Sequence, residues 1–288
     1  KKEQRIEKSH KEVNECSSYY DSMISDEGKI KASVIWILPN LGADIDDEEN
    51  MKSNEIFVLS HEFGHNMGLS HLDGLICYDN SNRIFFSDNC QEIPGKNNVF
   101  IEPMSTSRVS HYGAFNKRNI GWIENEKVVT TDKGNYLLTP LELSSKGIKL
   151  IQIPIPNSNK QYLLEYRRPL GYDNYDLTGY PLNGVFIYVN DLGSSSVFSI
   201  DPPPYQNENF NFGSLKINKP LVDEKNGVSI ILNSVSDDGA LLTINKLNDL
   251  TQCNDGVNND PFTDTFVDAE DFSCYVDGVY DPTHISEY

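Results

Sequence analysis

The sequence predicts an α+β fold in which a helix-bearing N-terminal part precedes an all-β part. Three observations carry this. A long helical pattern ends at a glycine near residue 68, short alternating segments follow Trp122 in series, and a cysteine-bracketed, Asp-rich stretch closes the chain. The expected domains are 1–124, holding the helix under a sheet, 125–248, an antiparallel β-sandwich, and 249–288, a disulfide-bracketed acidic tail.

Residues 5–24 read as a helix, because Ile6, Val13, Cys16 and Tyr20 recur at near-helical spacing among Lys and Glu. Lys31 to Pro39 reads as a buried strand, stopped by Pro39 and Asn40. The run Asp44 to Asn50 is read as a solvated acidic loop, with a cation site as the minority view. A long helix then starts near Ser53, a suitable N-cap, with Ile56, Leu59, Phe63 and Met67 as its core-facing stripe. From Cys77 to Val99 the composition is that of a loop, and Ser110 to Gly121 reads as a short helix ending at Gly121-Trp122. His111 and Tyr112 are read as helix surface or pocket wall in preference to catalysts. Strand candidates follow at 136–138, 149–155, 161–167, 184–190, 196–200, 227–235 and 240–247. Their number, and the Asn, Gly, Pro and Asp turns between them, indicate a sandwich or a barrel. Glu165 and Arg167 share one strand face, which suits an ion pair better than catalysis.

The segment His61-Glu62-Phe63-Gly64-His65-Asn66-Met67-Gly68-Leu69-Ser70-His71 has the spacing HExxHxxGxxH. On a helix His61 and His65 are i and i+4, so both imidazoles face the same way and can hold one metal ion. Glu62 is one residue further round, where a carboxylate can take a proton from water that the metal activates. Gly68 can adopt positive φ and stop the helix, turning the chain so that His71 supplies a third nitrogen. Three protein ligands leave the fourth position of tetrahedral zinc open, which is a catalytic and not a structural pattern. Half of the six histidines of this chain are spent on that spacing.

The motif resembles that of the metzincin metallopeptidases. Ile101-Glu102-Pro103-Met104-Ser105-Thr106-Ser107 is similar to their Met-turn, a tight turn that places a methionine, here Met104, beneath the three imidazoles. Thr106 stands where some members have a metal-reaching tyrosine. The order strand, acidic loop, long helix and ligand-bearing turn is how metzincins lay the active-site helix under a twisted sheet. The stretch before the helix, where the family carries the edge strand that pairs with extended substrate, is short here. Together with Gly121-Trp122, Tyr162-Leu-Leu-Glu-Tyr-Arg-Arg-Pro-Leu-Gly171 and Gly184-Val-Phe-Ile187, the chain resembles the gametolysin family and the peptidases around immune inhibitor A over roughly residues 30–247. That resemblance implies a secreted zinc endopeptidase acting on extracellular or cell-surface proteins. Zinc would be held by His61, His65 and His71, with Glu62 as general base.

A formal net charge of -19 argues against nucleic acid or an anionic membrane as partner. No apolar run approaches the ~20 residues that span a bilayer. A protein or peptide substrate and a monomer are expected. The chain opens Lys-Lys-Glu-Gln-Arg without Met or an apolar core, so a signal and any propeptide are expected to have been removed or to lie outside this sequence. Spacing favours Cys77 with Cys90, and Cys253 with Cys274, which points to an extracellular location. Cys16 is the odd one out, free or paired upstream, and no switch-like motif surrounds it. In the tail Asp255, Asn259, Asp260, Asp264, Asp268 and Asp271 offer oxygen ligands for Ca²⁺, against the plainer reading of a stapled acidic linker. A second functional reading also stands. In it the chain is a catalytically weak, zinc-stabilised module whose β-domain binds cell-wall or matrix polymer; intact Glu62 argues against it, since structural zinc needs no general base. A zinc hydrolase acting on non-peptide substrates is the weakest reading.

Overall fold

A computed structural model describes residues 17–25, 28–36, 48–79, 82–84, 86–87, 89–93, 102–105, 109–174, 183–194, 196–200, 213–247, 275–276 and 279–280. It is a mixed α/β protein made mostly of sheet with few helices. Among the described residues no helix is long and apolar enough to cross a membrane. Contacts divide the chain into two compact units, Lys1–Gly68 and Leu69–Tyr288. This division differs from the expected bounds at 124 and 248.

The first unit holds an antiparallel hairpin, β1 (Ser17–Ser25) and β2 (Gly28–Trp36), and helix α1 (Glu48–Asn66), which lies against both strands. Three expectations are corrected here. The end of the helix expected over 5–24 is strand β1, paired residue by residue with β2 from Ser17 opposite Trp36 to Ser25 opposite Gly28. Pairing across a hairpin overrides a short helical periodicity in a Ser- and Tyr-rich segment whose side chains suit strands better. Helix α1 also begins five residues before Ser53 and takes in Glu48, Glu49 and Asn50 from the acidic run. Carboxylates in a first turn are favoured by the positive end of the helix dipole. The apolar stripe is not core-facing: Ile56, Leu59 and Phe63 are 48%, 50% and 47% exposed, whereas Glu62 is 8% exposed. At 100° per residue the stripe lies opposite the histidines, so the half-buried ligand side of the helix faces away from its exposed apolar side.

In the second unit β3 (Leu72–Asp79), β4 (Asn82–Ile84) and β5 (Cys90–Ile93) occupy a region whose composition suggests loop. Helix α2 (Ala114–Asn119) follows, then β6 (Val128–Thr130), β7 (Gly134–Leu138), β8 (Leu150–Pro154), β9 (Lys160–Arg167), β10 (Gly184–Asp191), β11 (Val197–Ile200), β12 (Leu221–Asp223), β13 (Val228–Val235) and β14 (Ala240–Lys246). A last hairpin pairs β15 (Tyr275–Val276) with β16 (Val279–Tyr280). All seven strands expected after Trp122 are present, each within two residues of its expected limits.

An eight-stranded sheet runs β4-β3-β11-β10-β9-β8-β6, with β5 also on β3, and a four-stranded sheet runs β12-β13-β14-β7. The larger sheet is not purely antiparallel: β11 pairs parallel with β3, Val197 opposite Leu72 through Ile200 opposite Leu75, and β6 pairs parallel with β8. The pairing with β11 explains why β3–β5 group with the later strands and not with α1.

One buried cluster takes residues from both sheets, including Tyr162, Leu164, Ile187 and Val189 from the larger and Ile230, Leu242 and Ile244 from the smaller. Burying such side chains supplies ~25 cal/mol per Å² of apolar surface, the main force holding the layers together. Strand β9 is buried on its other face as well, at Leu163, Glu165 and Arg167. Above that face lies α2, whose Arg118 donates to Gln152 of β8 at 3.1 Å. Gly121, at φ 78°, ends the helix: its N–H reaches the Arg118 carbonyl at 3.0 Å and the Trp122 N–H the Lys117 carbonyl at 2.7 Å. This six-to-one pattern is a Schellman stop and gives the Gly-Trp step a structural reason. Cys77 and Cys90, directly opposite on β3 and β5, form a disulfide.

Candidate metal centre

Helix α1 carries His61 and His65 one turn apart, with Nε2 atoms 3.1 Å from each other and rings edge to face at 4.7 Å between centroids. Two imidazole nitrogens on tetrahedral zinc, each ~2.0–2.1 Å from the ion, lie about 3.3 Å apart, so the observed spacing fits a shared cation. Glu62, between them in sequence, is buried, which shields its carboxylate from bulk water. The helix stops as the sequence requires. Met67 N–H bonds the Phe63 carbonyl at 3.0 Å, Gly68 N–H the His65 carbonyl at 2.9 Å, and Gly68 takes φ 90°.

Leu69 and Leu72, 4% and 0% exposed, anchor the chain on either side of exposed His71. The ligand nitrogens of His61, His65 and His71, all within one continuous stretch of eleven residues, lie within 4.8 Å of one another. This donor set fits zinc: three neutral imidazoles suit a borderline-soft divalent ion and leave one tetrahedral position unfilled.

Glu102 to Ser105 form the turn expected around Met104. The Ser105 N–H bonds the Glu102 carbonyl at 3.0 Å, and its hydroxyl donates to the same oxygen at 2.6 Å. Pro103 occupies the second position, where its fixed φ favours a turn. Met104 is 0% exposed, and its carbonyl accepts the Leu72 N–H at 2.8 Å, so the turn is tied to the residue next to His71.

Comparison of the chain with protein-family models, with curated proteins and with solved structures found no match. The functional reading therefore rests on the residues themselves.

Of the other expected site residues, Cys77 and Cys90 are joined. Cys16, Cys253 and Cys274, and the calcium candidates Asp255, Asn259, Asp260, Asp264, Asp268 and Asp271, lie outside the described residues. His111 is half-buried with its ring 5.8 Å from that of Tyr172, and burial lowers its pKa. Tyr112 packs edge-on to Trp122 at 5.9 Å, and burial pushes its hydroxyl up to about 12, so it keeps its proton in neutral solution.

The expected ion pair is present: Arg167 Nε lies 3.0 Å from Glu165 Oε1, with both side chains buried. The sequence reading missed the other members of this network, Glu102, Asn116, Glu142 and Asp173. The only local signal was an acid, Glu102, standing between Ile101 and Pro-Met in an otherwise apolar run.

Proposed function

We propose that this protein is a zinc-dependent endopeptidase of metzincin type, secreted and acting on extracellular or cell-surface proteins. The observation that carries the reading is the meeting of the His61, His65 and His71 nitrogens within 4.8 Å, with Glu62, next to His61 in sequence, buried. These three side chains would hold the ion. Zinc, when bound, supplies Lewis acidity that polarises a scissile carbonyl and makes water a stronger acid, toward a pKa of ~7. Glu62 accepts the proton of the attacking water as the C–O bond forms. It then returns that proton to the amide nitrogen as the C–N bond breaks, giving one carboxylate and one amine product. Its burial keeps this proton from bulk exchange, and a carboxylate anchored on a helix needs little reorganisation during the step.

The test is metal content together with peptide-library cleavage, with and without chelator. Zinc near one equivalent, and cleavage that stops on chelation and returns with zinc, are expected. Glu62→Ala should keep the metal and lose at least ~10² in kcat, the usual cost of removing a general base. Retention of more than about a percent of activity would remove Glu62 from this role. Zinc bound with no peptide cleaved would favour the binding-module reading instead.

A further inference from the structure

Glu102 hangs from the same turn as Met104, two residues earlier, and is only 2% exposed. One carboxylate oxygen accepts the Gly113 N–H and the other accepts the Asn116 side-chain amide. The next backbone amide, Ala114, donates to Glu165 of β9. Glu165 in turn accepts the Tyr188 hydroxyl at 2.6 Å and pairs with Arg167, whose guanidinium donates to the His111 carbonyl at 2.5 Å. Asp173 accepts the His111 N–H at 2.8 Å. Two consecutive amides at the start of α2 are thus held by carboxylates from two separate elements, the Met104 turn and the central sheet. Glycine at 113 permits this: a Cβ there would lie 3.0 Å from Glu102 Oε2 and 3.3 Å from Glu165 Oε2. Leu72, the neighbour of His71, lines one small cavity together with Glu102, Gly113, Asn116 and Glu165.

Resting on the zinc reading above, we propose that Glu102 is a positioning residue of the metal centre. With Glu165 and Arg167 it fixes the Met104 turn, and through the Met104–Leu72 hydrogen bond it sets where His71 presents its nitrogen. The buried Glu165–Arg167 pair behind it is stiff, because releasing either partner leaves an uncompensated carboxylate or guanidinium in the interior. The Tyr-Leu-Leu-Glu-Tyr-Arg segment is accordingly part of the support of the metal site and not an unrelated feature of the sheet.

The experiment uses the full chain, reading zinc affinity by chelator competition and ligand geometry from the visible spectrum of the Co²⁺-substituted protein. Glu102→Ala should weaken zinc by about tenfold, the usual scale for supporting residues, and alter the Co²⁺ bands. Glu102→Gln should stay within about twofold of the parent. It still offers an oxygen to Gly113, and once the Asn116 amide is turned its NH₂ can donate to Asn116 Oδ1, an atom that has no hydrogen-bond partner among the described residues. If the alanine variant fails to fold by far-UV circular dichroism, Glu102→Asp, one methylene shorter, takes its place with the same expected loss. A folded alanine or aspartate variant with parental affinity and spectrum overturns the proposal, as does a glutamine variant as impaired as alanine. A parent chain that takes up neither zinc nor Co²⁺ removes the zinc reading itself, and the proposal with it.

Discussion

Glu102 has an ordinary carboxylate chemistry in an unusual place. Burial raises its pKa from 4.5 to about 7, although Gly113, Arg167 and Asn116 all pull the other way. Glu142 is raised to about 8, first by burial and then by the hydrogen bond it shares with Asp173. Both groups hold protons in the folded chain at pH values where the unfolded chain has released them. A raised folded-state pKa contributes stability that is complete below the unfolded value and is lost as pH rises through the folded one. Urea midpoints should therefore fall between about pH 5 and pH 7 as the unfolded chain, and then Glu102 in the folded one, gives up this proton, each pKa unit of displacement being worth about 1.4 kcal/mol. Glu102→Gln should flatten that slope. Above this window Lys149, lowered to about 8 by burial, begins to contribute with opposite sign, since its stability is lost as pH falls through that value. A parent slope that is flat from pH 5 to 7, or unchanged in the glutamine variant, would show that Glu102 is not protonated there.

At the scale of single elements, α1 shows what local reading can and cannot reach. Its ligand spacing and its stop were legible, because i, i+4 imidazoles and a glycine at φ 90° are decided within one turn. An added Cβ at Gly68 meets no atom within 4 Å, so its substitution tests backbone strain alone. Gly68→Ala should cost about 1–3 kcal/mol in thermal or urea unfolding and should weaken zinc binding, because the turn that delivers His71 relaxes. An alanine variant as stable as the parent would mean that another conformation serves equally well. The seven later strands were legible for a similar reason, since alternation and turn residues fix them locally. Strand β3 was not. Its parallel partner β11 lies more than a hundred residues away, and Asp73, Gly74 and Asp79 give the segment a loop-like composition. The expected helix over 5–24 and the inward apolar stripe of α1 failed in the complementary way. Periodicity states which residues share a face but not which face the rest of the chain will cover.

On the scale of the whole molecule, the later strands cannot be an appended binding module if the candidate centre depends on them. Leu72, which follows the third histidine, is in register with Val197, and β3 has β11 as its inner neighbour in the eight-stranded sheet. The start of α2 and the His111 carbonyl before it are held from β9 by Glu165 and Arg167, and the Met104 turn joins them through the bond from Gly113 to Glu102. A fragment ending at residue 124 keeps every expected ligand, Glu62 and Met104, yet exposes one edge of β3 and leaves Glu102 buried beside amides that β9 no longer steadies. Breaking a buried ionic network from one side costs about 3–5 kcal/mol, a large share of the 5–15 kcal/mol that holds a typical domain together. The fragment should therefore unfold without cooperativity and bind zinc at least about tenfold more weakly than the full chain, as measured by calorimetry and by chelator competition. A fragment that melts cooperatively and binds zinc as tightly as the intact chain would restore the view of two independent parts. Any polymer-binding role of the β-strands would then have to be sought apart from the metal.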